Sequence, residues 1–364
     1  MKTKLLVSIV INNYNYERFL AEAIDSALSQ TYPHTEVIVV DDGSTDNSRN
    51  IIASYGDRII SILQENGKQA AAFNSGFAIS QGEIIIFLDS DDYLFPHTVE
   101  RIVSIWKPHL AKVHYRLNVV DTFSQSLGYS CPQGALLSTG EVWCRLLEVG
   151  GYASTPTSGN ALNRKALEQV FPIPDEYKLT ADDYLSISIP FYGEVAAIEE
   201  PLGVYRIHHS NQWALATVTG DRFQRFVRHD LQNYSLLLQK ASELGYKLPK
   251  DLEQRAIGRL WSRIISLRLD PQNHPIPSDR PLSLVYQGIR SLWKYSHFNW
   301  QKRSIYSLWF IWVGFMPLAL AKPAIAWLYA PHFRPKAIAW IIKKIQSRAN
   351  RAELFANQTL TIQK

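Results

Sequence analysis

Cysteine is almost missing: Cys131 and Cys144 are the two in 364 residues. Two cysteines cannot build a disulfide framework or a zinc ligand set, so a reducing compartment is the expectation. Long apolar runs are also scarce. A transmembrane helix takes about 20 apolar residues. The best candidate, residues 305–321, has 17 and carries Pro317 near its end. Residues 5–11 are too short for a usual signal peptide and lack a small-residue cleavage site. No internal repeat is visible. Acidic residues are thin in the second part. Residues 221–364 hold 8 Asp+Glu against 23 Lys+Arg, while residues 1–220 hold 25 against 15. The overall charge of +5 therefore hides an acidic part and a basic part, which suggests two regions with different partners. The rest is ordinary: 46% hydrophobic and 20% charged residues exclude a wholly disordered chain. The length suggests about two domains.

Hydrophobic spacing divides the chain in the same place. Residues 5–11, 36–40, 59–64 and 83–88 are short apolar runs that read as buried strands. Between them, residues 19–30, 46–55 and 70–79 have helical spacing, with Asp46 near a cap position. That rhythm predicts βαβ units, a mostly parallel sheet and helices on both faces. Further strands are expected at 113–120, 160–163, 195–198 and 202–205, and helices at 140–148, 164–170 and 182–192. Past residue 212 the pattern is helical, at 223–244 and 252–269, with a four-proline linker at 270–281. The expected division is an α/β domain over 1–212 and a helical, basic, apolar region over 213–364.

Ligands in such sheets bind beyond the carboxyl ends of the strands. Polar clusters fall there. Asp89, Asp91 and Asp92 close an apolar strand, three carboxylates in four residues. Carboxylates that close need a counter-charge, which a hard divalent cation supplies. A helix cap with acidic first-turn residues would look the same. Asp41-Asp42-Gly43-Ser44 closes another strand, where an acid can accept hydrogen bonds from a ribose or base; a capped turn is the plain reading. Asn12-Asn13-Tyr14-Asn15 closes the first strand, and Tyr14 is either a stacking platform or a packing residue.

Together these segments resemble the nucleotide-sugar-binding half of the family 2 glycosyltransferases, of GT-A fold. Val39-Val40-Asp41-Asp42-Gly43-Ser44-Thr45-Asp46 and Asp89-Ser90-Asp91-Asp92 match two of that family's motifs in full. Asn66-Gly67-Lys68, followed by small residues through Asn74 to Gly76, matches a third without its spacer. The first departs: Asn12-Asn13 stands where Pro-Thr is common, leaving Tyr14 in place. The resemblance covers roughly residues 5–212. It implies that Tyr14 and Asp42 hold the nucleoside, with Lys68, Asn74, Asp89 and Ser90 also on the donor side. Asp89 and Asp91 form the Asp-x-Asp pair, with Asp91 the more direct ligand of Mn2+ or Mg2+. His208, in Tyr205-Arg206-Ile207-His208, matches a histidine that ligates the metal or contacts the diphosphate. Asp183, in Ala181-Asp182-Asp183, matches the catalytic base at a helix start, and Ser158-Gly159-Asn160 a loop lining the donor sugar. Gln212 is followed directly by Trp213, so the Gln-x-x-Arg-Trp motif of processive members is missing and single-sugar transfer is expected.

The resemblance thus implies an inverting, metal-dependent, hexosyltransferase-type enzyme. Its donor would be a nucleotide-diphosphate sugar, a UDP-sugar first, and its acceptor a saccharide or a lipid-linked hydroxyl. Cell-surface polysaccharide or glycoconjugate synthesis is the expected setting. The alternatives are a polyprenyl-phosphate glycosyltransferase and a sugar-nucleotide nucleotidyltransferase. Residues 304–330 carry one charge, Lys322, and are interrupted by Pro317 and Pro323, which fits an interfacial helix or shallow hairpin. A basic amphipathic stretch follows from Arg334 to Arg351. Peripheral contact with the cytoplasmic face of a membrane is the expectation; nucleic acid is not expected, because the basic residues accompany a long apolar block.

Overall fold

A computed structural model describes residues 4–133, 136–208, 218–296 and 298–329. The chain divides into two compact units. The first takes in Met1–Leu147, Gly151–Asn211 and Leu236–Tyr246; the second Glu148–Gly150, Gln212–Ser235 and Lys247–Lys364.

The first unit begins with four strands and three helices in strict alternation. They are β1 (Val7–Asn13), α1 (Glu17–Leu28), β2 (Thr35–Asp42), α2 (Ser48–Ser54), β3 (Ile60–Gln64), α3 (Lys68–Ile79) and β4 (Ile84–Asp89). The four strands pair in parallel, in the order β3-β2-β1-β4. β1, β2 and β4 are buried along most of their length because both faces are covered, whereas the edge strand β3 is largely exposed. Ile9, Ile11, Val37, Val39, Ile84, Ile86 and Leu88 point into one core with Leu20, Ala23 and Ile24 of α1. On the other face Phe87 stacks on Phe73 of α3, ring centres 4.2 Å apart. Gly76 lets α3 close on the sheet: a Cβ there would lie 2.3 Å from Val10 Cγ1.

Beyond β4 the direction of pairing changes. The chain adds β5 (Tyr93–Leu94), α4 (Thr98–Ile105), β6 (Leu110–Val120), β7 (Ser126–Cys131), α5 (Val142–Val149), β8 (Asn160–Asn163), α6 (Arg164–Leu167), α7 (Ala181–Ser188) and β9 (Glu194–Arg206). The strand path is β3-β2-β1-β4-β8-β6-β9-β5, with β7 paired to β6. β8 is antiparallel to both β4 and β6, whereas β6 and β9 run parallel. The sheet is therefore mixed, parallel in its first half. The two closing strands expected at 195–198 and 202–205 are one strand. Register shifts near Tyr115 and Arg116 absorb Pro201, which has no N–H to give. The helix expected over 182–192 ends at Ser188 and continues as one 3-10 turn containing Pro190.

The second unit is helical. α8 (Gly220–Glu243) begins in it and ends in residues of the first unit. α9 (Ile257–Leu269), α10 (Pro281–Lys294), α11 (Trp300–Phe315) and α12 (Leu318–Tyr329) follow. Its core gathers Phe223, Leu260, Ile264, Leu284, Phe310 and Val313. α11 ends before Pro317, as its sequence suggests, but Pro323 sits inside α12 rather than ending it. No described helix is long and apolar enough to cross a membrane. The basic stretch from Arg334 lies outside the described residues.

Candidate active site

The carboxyl ends of β1, β2 and β4 place the first polar groups. Register sets Asn12 beside Asp89 and Asn13 beside Asp41. Asn13 donates to Asp41 Oδ1 at 3.0 Å, and Arg49 Nε donates to Oδ2 at 2.9 Å. Asp41 is thus a structural anchor with a fully covered side chain. Asp42 is also buried. It accepts from Gln64 Nε2 at 2.7 Å, Gly67 N at 2.9 Å and Lys68 N at 2.7 Å. A carboxylate has about four lone-pair sites, so one remains for a ligand. Lys68 takes a left-handed φ of 70°. Its Nζ sits 5.6 Å above the ring of Tyr14, which is 43% exposed. Tyr14, Asp42 and Lys68, far apart in sequence, thus share one corner.

The acidic cluster after β4 is arranged with more constraint than its sequence shows. Asn12 donates to Asp89 Oδ1 at 3.0 Å. Burial, then the charge of Asp91, push Asp89 up to about 7, against hydrogen bonds from Asn12 and Thr157. Asp91 Oδ2 lies 2.8 Å from His208 Nε2. The His208 ring stacks on Phe19 at 5.2 Å and meets Tyr16 edge-on at 5.4 Å. Ser90 is buried between these acids. Asp92 faces inward: it accepts from Ser158 Oγ at 2.6 Å and from Arg206 N at 2.9 Å. Burial, then its two acidic neighbours, raise it well above the carboxylate range.

Two buried residues hold this cluster. Ser158 is wholly buried. Besides Asp92, it accepts from Asp89 N at 3.1 Å, and its carbonyl accepts from Tyr115 at 2.7 Å. Ser158 therefore holds the acidic turn, while Asn160 of the same loop lines a cavity. Arg206 is 1% exposed and donates to the Asp91 carbonyl at 2.8 Å, to Ser124 and to Glu22. The signal the sequence offered was its place in Tyr205-Arg206-Ile207-His208, with no hint of its buried partners.

Asp183 stands in the first turn of α7, where the helix dipole favours a carboxylate. Ala181 N–H donates to Gln69 at 3.2 Å, and Ala70 N–H donates to the Lys178 carbonyl at 3.2 Å. These bonds tie the start of α7 to the start of α3. Asp182 and Asp183 line an open cavity together with Thr157, Asn160 and Lys112. Thr157 adjoins Ser158, whose Oγ bonds to Asp89 N and Asp92, so the cavity borders the acidic cluster. Asn74 is elsewhere. Its amide donates to the Ile173 carbonyl at 3.1 Å and accepts from Ile173 N at 2.8 Å, a reciprocal packing bond.

Residues 8–116 match the family model described as glycosyl transferase family 2. An uncharacterized glycosyltransferase of Nostoc sp. is 38% identical over 220 residues, 56% of this chain and 66% of the relative. The chain carries a glycosyl transferase family 2 domain over residues 8–116. Another relative, glycosyltransferase GlyA of Streptococcus pneumoniae, is 28% identical over 68% of this chain and 36% of its own length. The chain thus spans just under two thirds of the first relative and about a third of the second. In fold, the chain resembles Staphylococcus aureus TarS residues 1–349 in complex with UDP-GlcNAc. The TM-score is 0.53 at 16% identity, covering 89% of this chain and 91% of that one. The mixed sheet with its helical continuation is the GT-A architecture.

A divalent cation can be tested against the residues present. Among the described residues no three His, Cys, Asp or Glu side chains form a ready metal cage. A Mg2+-type ion needs none: it is held by one or two carboxylates plus substrate phosphates and water. The Asn12 side-chain oxygen is buried without a donor beside Asp89 of the acidic cluster. A surplus acceptor and negative charge fit a cation.

Proposed function

We propose that the chain is an inverting, divalent-metal-dependent glycosyltransferase that moves one sugar from a nucleoside-diphosphate donor to an acceptor hydroxyl. One observation carries this reading: Asp183 lines a cavity together with Thr157, whose chain neighbour Ser158 bonds to Asp89 N and Asp92. A base on one side and a buried acidic strand end on the other are what a displacement at an anomeric carbon needs.

Tyr14 and Asp42 receive the nucleoside, with Lys68 beside them. A UDP-sugar, the class held by the staphylococcal neighbour, is the donor we infer. Asp89, Asp91 and His208 would hold Mn2+ or Mg2+, which when bound stabilises charge on the departing diphosphate. Asp183 accepts the proton of the attacking hydroxyl. The new bond forms from that oxygen to the anomeric carbon. The old carbon–oxygen bond breaks on the opposite face, and its electron pair leaves with the diphosphate.

The test is steady-state transfer and calorimetric nucleotide binding. Asp183→Asn should lose about 100-fold or more in kcat, the usual contribution of a general base. UDP binding in Mn2+ should stay within about twofold, because Asp183 acts on the acceptor. Asp91→Asn should instead weaken Mn2+-dependent UDP binding. Full turnover by Asp183→Asn removes the base assignment.

We also propose that the helical unit rests on an anionic lipid surface. Leu308, Ile311, Trp312 and Phe315 are each more than 40% exposed and share one face of α11. The opposite face, with Phe310 and Val313, fills the core. A helix apolar all round needs cover on both sides. The excess of basic residues past 221 matches anionic lipid as that cover.

A further inference from the structure

Lys112 lies in β6, opposite Leu162 of β8 and Val195 of β9. It is 2% exposed, yet its side chain reaches the cavity lined by Asp182, Asp183, Thr157 and Asn160. An ammonium has three donors. Two of them meet neutral oxygens: the Tyr152 hydroxyl at 3.1 Å and Ser154 Oγ at 2.9 Å. The Tyr152 hydroxyl donates its own hydrogen to the Ser186 carbonyl at 2.9 Å, so its oxygen is left to accept from Lys112. Among the described residues no carboxylate pairs with this ammonium. His114, two residues along the same strand face, offers no counter-charge. Burial, then Lys112 itself, push it down to about 3, and its Nε2 bonds to the Ser138 carbonyl at 2.8 Å.

A cation taken out of water without an anion is costly, and natural structures pair it. Here the missing anion has an open approach from the cavity. We propose that Lys112 binds an anionic substituent on a sugar, a carboxylate or a phosphate ester, seated in the cavity beside Asp183. This rests on the glycosyl-transfer reading of the cavity. The donor diphosphate is not that anion, because Asp89, Asp91 and His208 are not part of this lining. Lys112 offsets the repulsion that Asp182 and Asp183 exert on a charged sugar. It draws the anion to the β6 side and leaves the hydroxyls toward Asp183.

The experiment is calorimetric titration of the full chain in Mn2+ with two pairs of probes. UDP-glucuronic acid is set against UDP-glucose, and glucuronate against glucose with UDP present. The charged member of one pair should bind about tenfold to a hundredfold tighter, as one charge-assisted hydrogen bond allows. The first pair assigns the anion to the donor, the second to the acceptor. Lys112→Met should reduce the charged probe to the affinity of its neutral partner and leave UDP itself unchanged. Lys112→Gln serves the same purpose should Lys112→Met not fold, and the wild-type comparison needs neither. Equal binding within both pairs, or a preference that survives loss of the ammonium, overturns the inference. Failure of UDP to bind, with glucuronate still preferred over glucose, removes the donor reading and keeps the anion site.

Discussion

Asp92 shows how one carboxylate among three can differ in task. It sits three residues from Asp89 in the turn, but its oxygens are taken by Ser158 Oγ and Arg206 N. Arg206 closes the arrangement from the other side, its guanidinium 4.7 Å above the Phe19 ring and bonded to the Asp91 carbonyl and Glu22. The same phenyl ring stacks on His208. Loss of the guanidinium therefore loosens the turn carrying Asp91 and the platform under His208 together. Arg206→Met should cost about 2 to 3 kcal/mol in urea unfolding, less than a fully buried ion pair because Glu22 is half exposed. Mn2+-dependent UDP binding should weaken with it. A variant as stable as wild type would mean that the guanidinium holds nothing in place.

At the scale of elements, the parallel half of the sheet follows from local pattern. Apolar runs alternate with segments of helical spacing, so strand and helix identities were readable to within two or three residues. The approach of α3 to the sheet is a tighter condition. Gly76→Ala would gain about 1 kcal/mol of helix propensity. Overpacking a filled site costs about 1 to 3 kcal/mol, and here the obstructing atom is a methyl of a β-branched strand residue, which cannot swing aside. The clash should win, with a net loss of about 1 kcal/mol or more in thermal or urea unfolding. The antiparallel half was less legible. β7 has mostly exposed residues and no apolar signal, and Lys112 fell outside the predicted strand because charge interrupts the apolar run.

For the whole molecule, the helical unit carries the unanswered apolar surface. Trp300 at 68% exposure and Leu308 at 67% lie on the same helix, α11. The full chain should co-sediment with vesicles containing phosphatidylglycerol and stay in solution with phosphatidylcholine alone, since basic charge and apolar insertion act together. Leu308→Asp with Trp312→Asp should release it while leaving the catalytic unit folded. Indifference to lipid charge would remove the membrane assignment. The sequence by itself determined the strand–helix rhythm, the break at Pro317 and the acids at the strand ends, because each depends on residues within one or two turns of each other. Only the tertiary structure decided what those acids do. Asp92 meets partners 66 and 114 residues away, and Asn74 one 99 residues away. A buried ammonium finds its hydroxyls 40 and 42 residues on. Hydrogen bonds across such distances are set by how the elements pack, which no local period encodes.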